Sequence, residues 1–192
     1  DDVLSMAFMT FFHSGKPILF PDVTYSFYDV WASLHGIPYK TCALDENWHI
    51  RPEDYRQPNG GVIFPNPNAP TGLMESLETV EGILLANRDA VVIVDEAYVD
   101  FGGVSALSLL EKYDNLLVVR TFSKSRAMAG MRIGFCIGSA KMIGYLNDVK
   151  FSFNSYTMNL PAQLMGAAAV KEDAYFKEIT GKIIATRERV KG

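Results

Sequence analysis

Three short runs without a polar side chain constrain the fold of this chain most: Val62-Ile63-Phe64, Ala90 to Val94, and Leu116-Leu117-Val118-Val119. A strand buried on both faces reads as a continuous apolar run, whereas a strand with one wet face alternates. Between the first two runs lies a helical period, Glu75 to Asn87, with Leu77, Val80, Ile83 and Leu84 on one face. A second helix is expected between the next two, from Ser105 to Tyr113. Strands alternating with helices through short links predict a parallel sheet covered by helices. The alternation continues outward, with strands expected at Pro17 to Phe20, Ile37 to Ala43 and Arg132 to Ile137. Helices are expected over Val3 to His13, from the Pro21 to Tyr25 loop to about His35, and over Lys141 to Val149. Asp45 to Gly60 reads as polar and irregular, and the chain from about Leu160 onward reads as helical, through Gln163 to Val170 and Tyr175 to Val190. The fold class predicted is therefore α/β, a mostly parallel sheet flanked by helices, without internal repeats or a clear linker.

Composition narrows the function classes. A chain of 192 residues that is 48% hydrophobic and 21% charged has material for a full core, which excludes disordered and fibrous classes. A net charge of −4 with no basic run argues against a nucleic-acid partner. No apolar run reaches the roughly 18 residues of a membrane span, so no membrane partner is expected. Cys42 and Cys136 are too few for a disulfide framework and suggest free thiols in a reducing cytoplasm. His13, His35 and His49 lack metal-ligand spacing, so no metal site is expected. Neither a Gly-x-x-x-x-Gly-Lys-Ser/Thr loop nor a Gly-x-Gly-x-x-Gly turn follows any strand, which removes support for nucleotide hydrolysis and nicotinamide binding. The first residue is Asp1, not Met, and an upstream part is expected.

Each of the three apolar runs opens into residues that carry chemistry. Val62-Ile63-Phe64 leads into Pro65-Asn66-Pro67-Asn68-Ala69-Pro70-Thr71-Gly72, a turn stiffened by its prolines, in which Ala69-Pro70 can be cis. Its two asparagines offer amides to a ligand oxygen; a purely structural turn is the alternative. Val94 leads into Asp95-Glu96-Ala97-Tyr98. A carboxylate at the end of an all-apolar strand is partly desolvated and needs a cationic or hydrogen-bonded partner. A protonated pyridine nitrogen, a salt bridge or a helix cap would each serve, and Glu96 reads as a surface residue or one behind the site. The strand Leu116 to Arg120 leads into Thr121-Phe122-Ser123-Lys124, with Arg132 eight residues beyond the lysine. The small residues Ala127 to Gly130 can turn the chain back, so that two hydroxyls, an amine and a guanidinium converge on one anionic group. Lysine forms a Schiff base with an aldehyde once deprotonated, and arginine holds phosphate by paired hydrogen bonds. An aldehyde and a phosphate together are the chemistry of pyridoxal phosphate (PLP); a solvated basic loop is the ordinary alternative.

In combination these segments resemble the large, cofactor-binding domain of the fold type I PLP-dependent aminotransferases, most closely the histidinol-phosphate aminotransferase group. The matching segments are Asn66 to Gly72, Val94 to Tyr98, Arg120 to Lys124 and Gly130 to Gly134, and the resemblance covers essentially the whole chain. It implies an aspartate aminotransferase-like fold, with residues 1–170 as the PLP-binding domain lacking its N-terminal part. Residues 171–192 would begin a helix leading to a small domain absent from this chain. It implies that Lys124 holds the cofactor and acts as general base and acid, that Asp95 pairs with the pyridinium nitrogen, and that Tyr98 donates to the phenolate oxygen. Thr121, Ser123 and Arg132 would hold the phosphate, and Tyr25 would stack on the ring. The family's asparagine before Pro-Thr-Gly is Ala69 here, which leaves Asn68 as the nearest substitute. Asp1 and Asp2 would be the tail of a phosphate-binding turn. The implied reaction moves an amino group between an amino donor, histidinol phosphate, and a 2-oxo acid such as 2-oxoglutarate. An aromatic aminotransferase, a threonine-phosphate decarboxylase and a non-catalytic fragment keeping only the fold share these motifs. A homodimeric, cytoplasmic parent is implied, with the chain alone inactive.

Overall fold

The computed structural model describes residues 1–192. Six short strands, β1 (Ile18–Pro21), β2 (Tyr39–Cys42), β3 (Val62–Pro65), β4 (Val92–Asp95), β5 (Leu116–Thr121) and β6 (Gly134–Ile137), form one sheet in the order β2-β1-β3-β4-β5-β6. The three apolar runs occupy its centre as β3, β4 and β5, and every residue of β3 and β4 is buried. At one edge, β2 leaves Tyr39, Lys40 and Thr41 exposed, as expected of a strand with a single neighbour. The first five strands are parallel, and β6 runs antiparallel to β5, pairing Gly134 with Thr121 and Ile137 with Val118. A parallel return needs a crossover covering the sheet, usually a helix. The Phe122 to Ile133 link holds only a 3-10 turn, Ala129–Met131, so the chain doubles back.

Six α-helices cover the sheet and its end: α1 (Asp2–Phe11), α2 (Tyr28–Leu34), α3 (Leu77–Ala86), α4 (Ala140–Phe153), α5 (Leu160–Lys171) and α6 (Asp173–Lys191). Alternate residues of the central strands point to opposite faces, which divides the core in two. Ile63, Ile93, Leu117 and Val119 pack against Phe8 of α1, Trp31 of α2 and Leu146 of α4. Phe64, Val92, Val94 and Val118 pack on the other face against Val80, Ile83 and Leu84 of α3. Ser76, Ser139 and Asn159 cap α3, α4 and α5 with side-chain oxygens that accept backbone N–H groups. No helix is long and apolar enough to cross a membrane.

Several expectations are corrected. Ser105 to Tyr113 is not an α-helix; only Ala106–Leu109 forms a 3-10 turn. Its start is held by the buried Glu96 carboxylate, which accepts from the Ser105 hydroxyl and the Ala106 N–H, at 2.6 Å for the latter. Arg132 is not a strand residue but lies in the left-handed region (φ 54°, ψ 47°), and β6 begins at Gly134. The edge strand β2 is also shorter than Ile37 to Ala43. The irregular stretch before β3 contains a 3-10 turn, Pro52–Arg56, that buries Tyr55.

Candidate active site

The parallel strands β3, β4 and β5 end at one edge of the sheet, and Asp95 stands in register between Pro65 and Val119. Open α/β sheets bind ligands outside the carboxyl ends of their strands. A cavity of about 530 Å³ occupies that place here. Asp95, Tyr98, Thr121, Ser123, Lys124 and Arg132 all line it. Tyr25, Asp1 and Asp2 line it from the other side.

Asp95 forms the buried floor, 6% exposed. Its Oδ1 accepts the Ala97 N–H at 3.1 Å, and its Oδ2 accepts the Tyr28 hydroxyl at 3.0 Å. No lysine, arginine or histidine lies within ion-pair distance of it. Burial pushes its carboxyl above the ordinary aspartate range, while the two hydrogen bonds favour the anion and pull the other way. No side-chain cation pairs with it and the α-amino group of Asp1 acts on it only through space, so this buried carboxylate suits a protonated ring nitrogen.

Lys124 lies just past β5 with its Nζ over the Tyr98 ring, 5.2 Å from the centroid. Its amine makes no bond to any carboxylate, which leaves it uncommitted. The loop is pinned on both sides of the lysine. The Thr121 hydroxyl donates to the Ile133 carbonyl at 3.3 Å and accepts the Ser123 N–H at 3.0 Å. The buried Ser125 donates to Asp100 at 2.5 Å. Arg132 sends one guanidinium nitrogen to the Ala129 carbonyl and another to the Asp1 carboxylate, each at 2.9 Å. The Tyr25 hydroxyl donates to the same carboxylate at 3.0 Å. Arg132 thus reaches an anion at the cavity wall, at the start of α1, from a left-handed backbone rarely taken by a residue with a side chain. The Tyr25 phenol is raised by burial, and its ring meets Tyr28 edge-on at 5.7 Å. Asp2 sits exposed in the first turn of α1.

Asn68 is not brought to the cavity. Its amide nitrogen donates to the Val23 carbonyl at 3.0 Å and the Thr71 hydroxyl at 3.1 Å, and Ala69 lines the wall instead. Asn66 closes the same turn on the backbone of Glu75 in both directions, and the Asn66-Pro67 and Ala69-Pro70 bonds are cis. Asn66 thus serves the turn through both side-chain atoms, whereas Asn68 braces it through its nitrogen and leaves its buried Oδ1 without a partner.

Two residues support the site from behind: Tyr28, which the sequence did not single out, and Glu96, which is buried behind the site and not on the surface. Tyr28, fully buried in α2, bonds Asp95; nothing in a helical tyrosine signals that its hydroxyl meets a strand end. Glu96 is 2% exposed, and Arg120 grips it through Nε at 2.9 Å and a terminal nitrogen at 2.8 Å. The sequence signal was there: a lone arginine closing an apolar strand beside a second carboxylate. No group of three or more His, Cys, Asp or Glu side chains is placed to hold a metal.

The donor set suits a phosphorylated aromatic aldehyde with a basic ring nitrogen: an unpaired buried carboxylate, a free amine, and hydroxyls beside an arginine. The comparisons agree. A family profile described as aminotransferase class I and II matches residues 1–192. The histidinol-phosphate aminotransferase of Pseudomonas putida strain W619 is 52% identical over 188 residues, which is 98% of this chain and 54% of that protein. The chain spans about half the length of the curated relatives it matches. Among solved structures, the histidinol-phosphate aminotransferase of Clostridium acetobutylicum superposes with a TM-score of 0.86 at 27% identity, covering 97% of this chain and 57% of that one. The enzyme of that name from Sinorhizobium meliloti, solved in complex with pyridoxal-5'-phosphate, gives 0.85 at 24% identity, covering 98% and 53%. The likeness in structure establishes the fold, and the profile match over the whole chain establishes the family. The chain belongs to the class I and II aminotransferases.

Proposed function

We propose that the parent protein is a PLP-dependent aminotransferase moving an amino group between histidinol phosphate and a 2-oxo acid such as 2-oxoglutarate. The observation that carries this reading is the buried carboxylate of Asp95, paired with no side-chain cation, facing the same cavity as the uncommitted amine of Lys124. The substrate pair rests on the names of relatives at about half identity. An aromatic aminotransferase or a threonine-phosphate decarboxylase would use the same cavity residues.

PLP supplies an electron sink that stabilises a carbanion beside the amino nitrogen. Lys124 would hold it through its amine and, when free, would serve as the base and acid at the cavity through its Nζ. Asp95 would face the ring nitrogen and keep it protonated. The Tyr98 hydroxyl would donate to the ring oxygen, and Tyr25 would cover the ring face. Thr121, Ser123 and Arg132 would take the phosphate, aided by the N-terminus of α1 near Asp1 and Asp2, where backbone N–H groups favour anions. Residues 1–170 would form the cofactor-binding unit, with α6 leading toward a small domain. In this reading the parent is a cytoplasmic homodimer, and the present chain, spanning about half of its relatives, does not transaminate alone.

The test is spectroscopic. Adding PLP is expected to produce a visible band that borohydride converts to a covalent adduct on Lys124, located by peptide mass spectrometry. Lys124→Ala should show neither band nor adduct. Absence of both in the full-length protein would sink the aminotransferase reading.

A further inference from the structure

One contact at the end of β4 lies outside every role assigned above. Tyr28 is completely buried, its ring stacked on Phe8 at 6.4 Å and set edge-on to Phe20 at 5.9 Å. A cluster that needed only volume would be satisfied by phenylalanine. The hydroxyl instead reaches across from α2 to β4 and donates to Asp95 Oδ2 at 3.0 Å. It is the only side-chain donor to that carboxylate, and Asp95 is its only partner.

We infer that Tyr28 is a positioning residue, whose hydroxyl fixes the orientation of the Asp95 carboxylate and keeps it anionic to receive a protonated ring nitrogen. With Oδ1 held by the Ala97 N–H and Oδ2 by Tyr28, the carboxyl plane is set from two sides. Without the phenol, one backbone donor is left to offset the burial of the charge. The same α2 ring meets Tyr25 edge-on, so the residue proposed to cover the cofactor and the one proposed to hold its nitrogen share a single rigid support. The inference rests on the proposed function and adds to it the group that prepares Asp95.

The experiment compares two probes in the full-length protein purified without cofactor: PLP, and its carbocyclic analogue in which the ring nitrogen is replaced by C–H. Dissociation constants are measured by equilibrium dialysis for the wild type and for Tyr28→Phe, which keeps the packed ring. The wild type is expected to prefer PLP. Tyr28→Phe is expected to weaken PLP about tenfold, the loss of one hydrogen bond to a charged group, and to leave the analogue's affinity unchanged. Equal weakening of both probes would reduce Tyr28 to packing, and an unchanged preference would overturn the inference alone. A wild type that does not prefer PLP would overturn the proposed role of Asp95 along with it. Should Tyr28→Phe not fold, 3-fluorotyrosine at position 28 supplies a stronger donor of the same shape. It is expected to raise the preference for PLP, and no rise would count against the inference.

Discussion

Asp95 titrates against its surroundings. Burial raises its carboxyl above the ordinary value of 3.8, so the folded protein takes up this proton more readily than the unfolded chain. Through this group, stability falls as pH rises from the unfolded value through the folded one, and above that the full cost of the buried charge applies. Asp95→Asn removes the titration. The stability difference between wild type and Asp95→Asn is therefore expected to shift in favour of the wild type as pH falls through that window, read from urea midpoints at successive pH values. A flat difference would mean that the charge is already matched within the protein. At this scale the sequence was informative where a polar residue ends an apolar strand, because the strand dictates where the side chain goes. Asp95 reaches the cavity for that reason, Lys124 follows β5 within three residues, and Arg132 returns to the cavity only through the left-handed turn. The direction of the Asn68 amide was not legible, because it is set by the Val23 carbonyl 45 positions away. Tyr28 was not, because its partner lies 67 positions on.

The strand ends are tied to one another as well as to the cavity. Glu96, just past β4, is held by Arg120 of β5 and by the turn at Ser105 and Ala106, while Asp100 sits 3.8 Å from Arg120 and accepts from Ser125 beside Lys124. Removing one member of a buried ion pair strands the other. Arg120 keeps partial access to water, its side chain 21% exposed, which places the cost of Glu96→Ala at the lower end of the usual range, about 3 kcal/mol. Denaturant unfolding of the two proteins measures it, and a loss below about 1 kcal/mol would show that the pair is solvent-screened. Ser105 to Tyr113, helical by pattern, closes only the 3-10 turn Ala106–Leu109, its first N–H groups held by Glu96 and the Ser105 hydroxyl as at any helix start. The antiparallel β6 was not legible either, since the pattern marks a strand but gives no direction, and the shortness of the Phe122 to Ile133 link decides it.

Taken whole, the molecule keeps large apolar side chains in water. Between Phe151 and Met165, six of them (Phe151, Phe153, Tyr156, Leu160, Leu164, Met165) are exposed, Tyr156 by 92%. Exposed apolar clusters of this kind mark contact surfaces or aggregation hazards. The isolated chain is expected to associate in a concentration-dependent way in sedimentation velocity, and Leu160→Lys with Leu164→Glu is expected to suppress it; a chain monomeric at all loadings would show the exposure to be tolerated.

The order of the strands also bears on how the protein comes into being. Tyr25, Asp95, Lys124 and Arg132 meet only after β3, β4 and β5 have been laid side by side through successive crossovers, and pairings so distant along the chain form slowly. No local segment can hold a ring nitrogen, an aldehyde and a phosphate by itself. In the proposed reading, cofactor capture therefore follows the assembly of the sheet and guides none of the earlier steps.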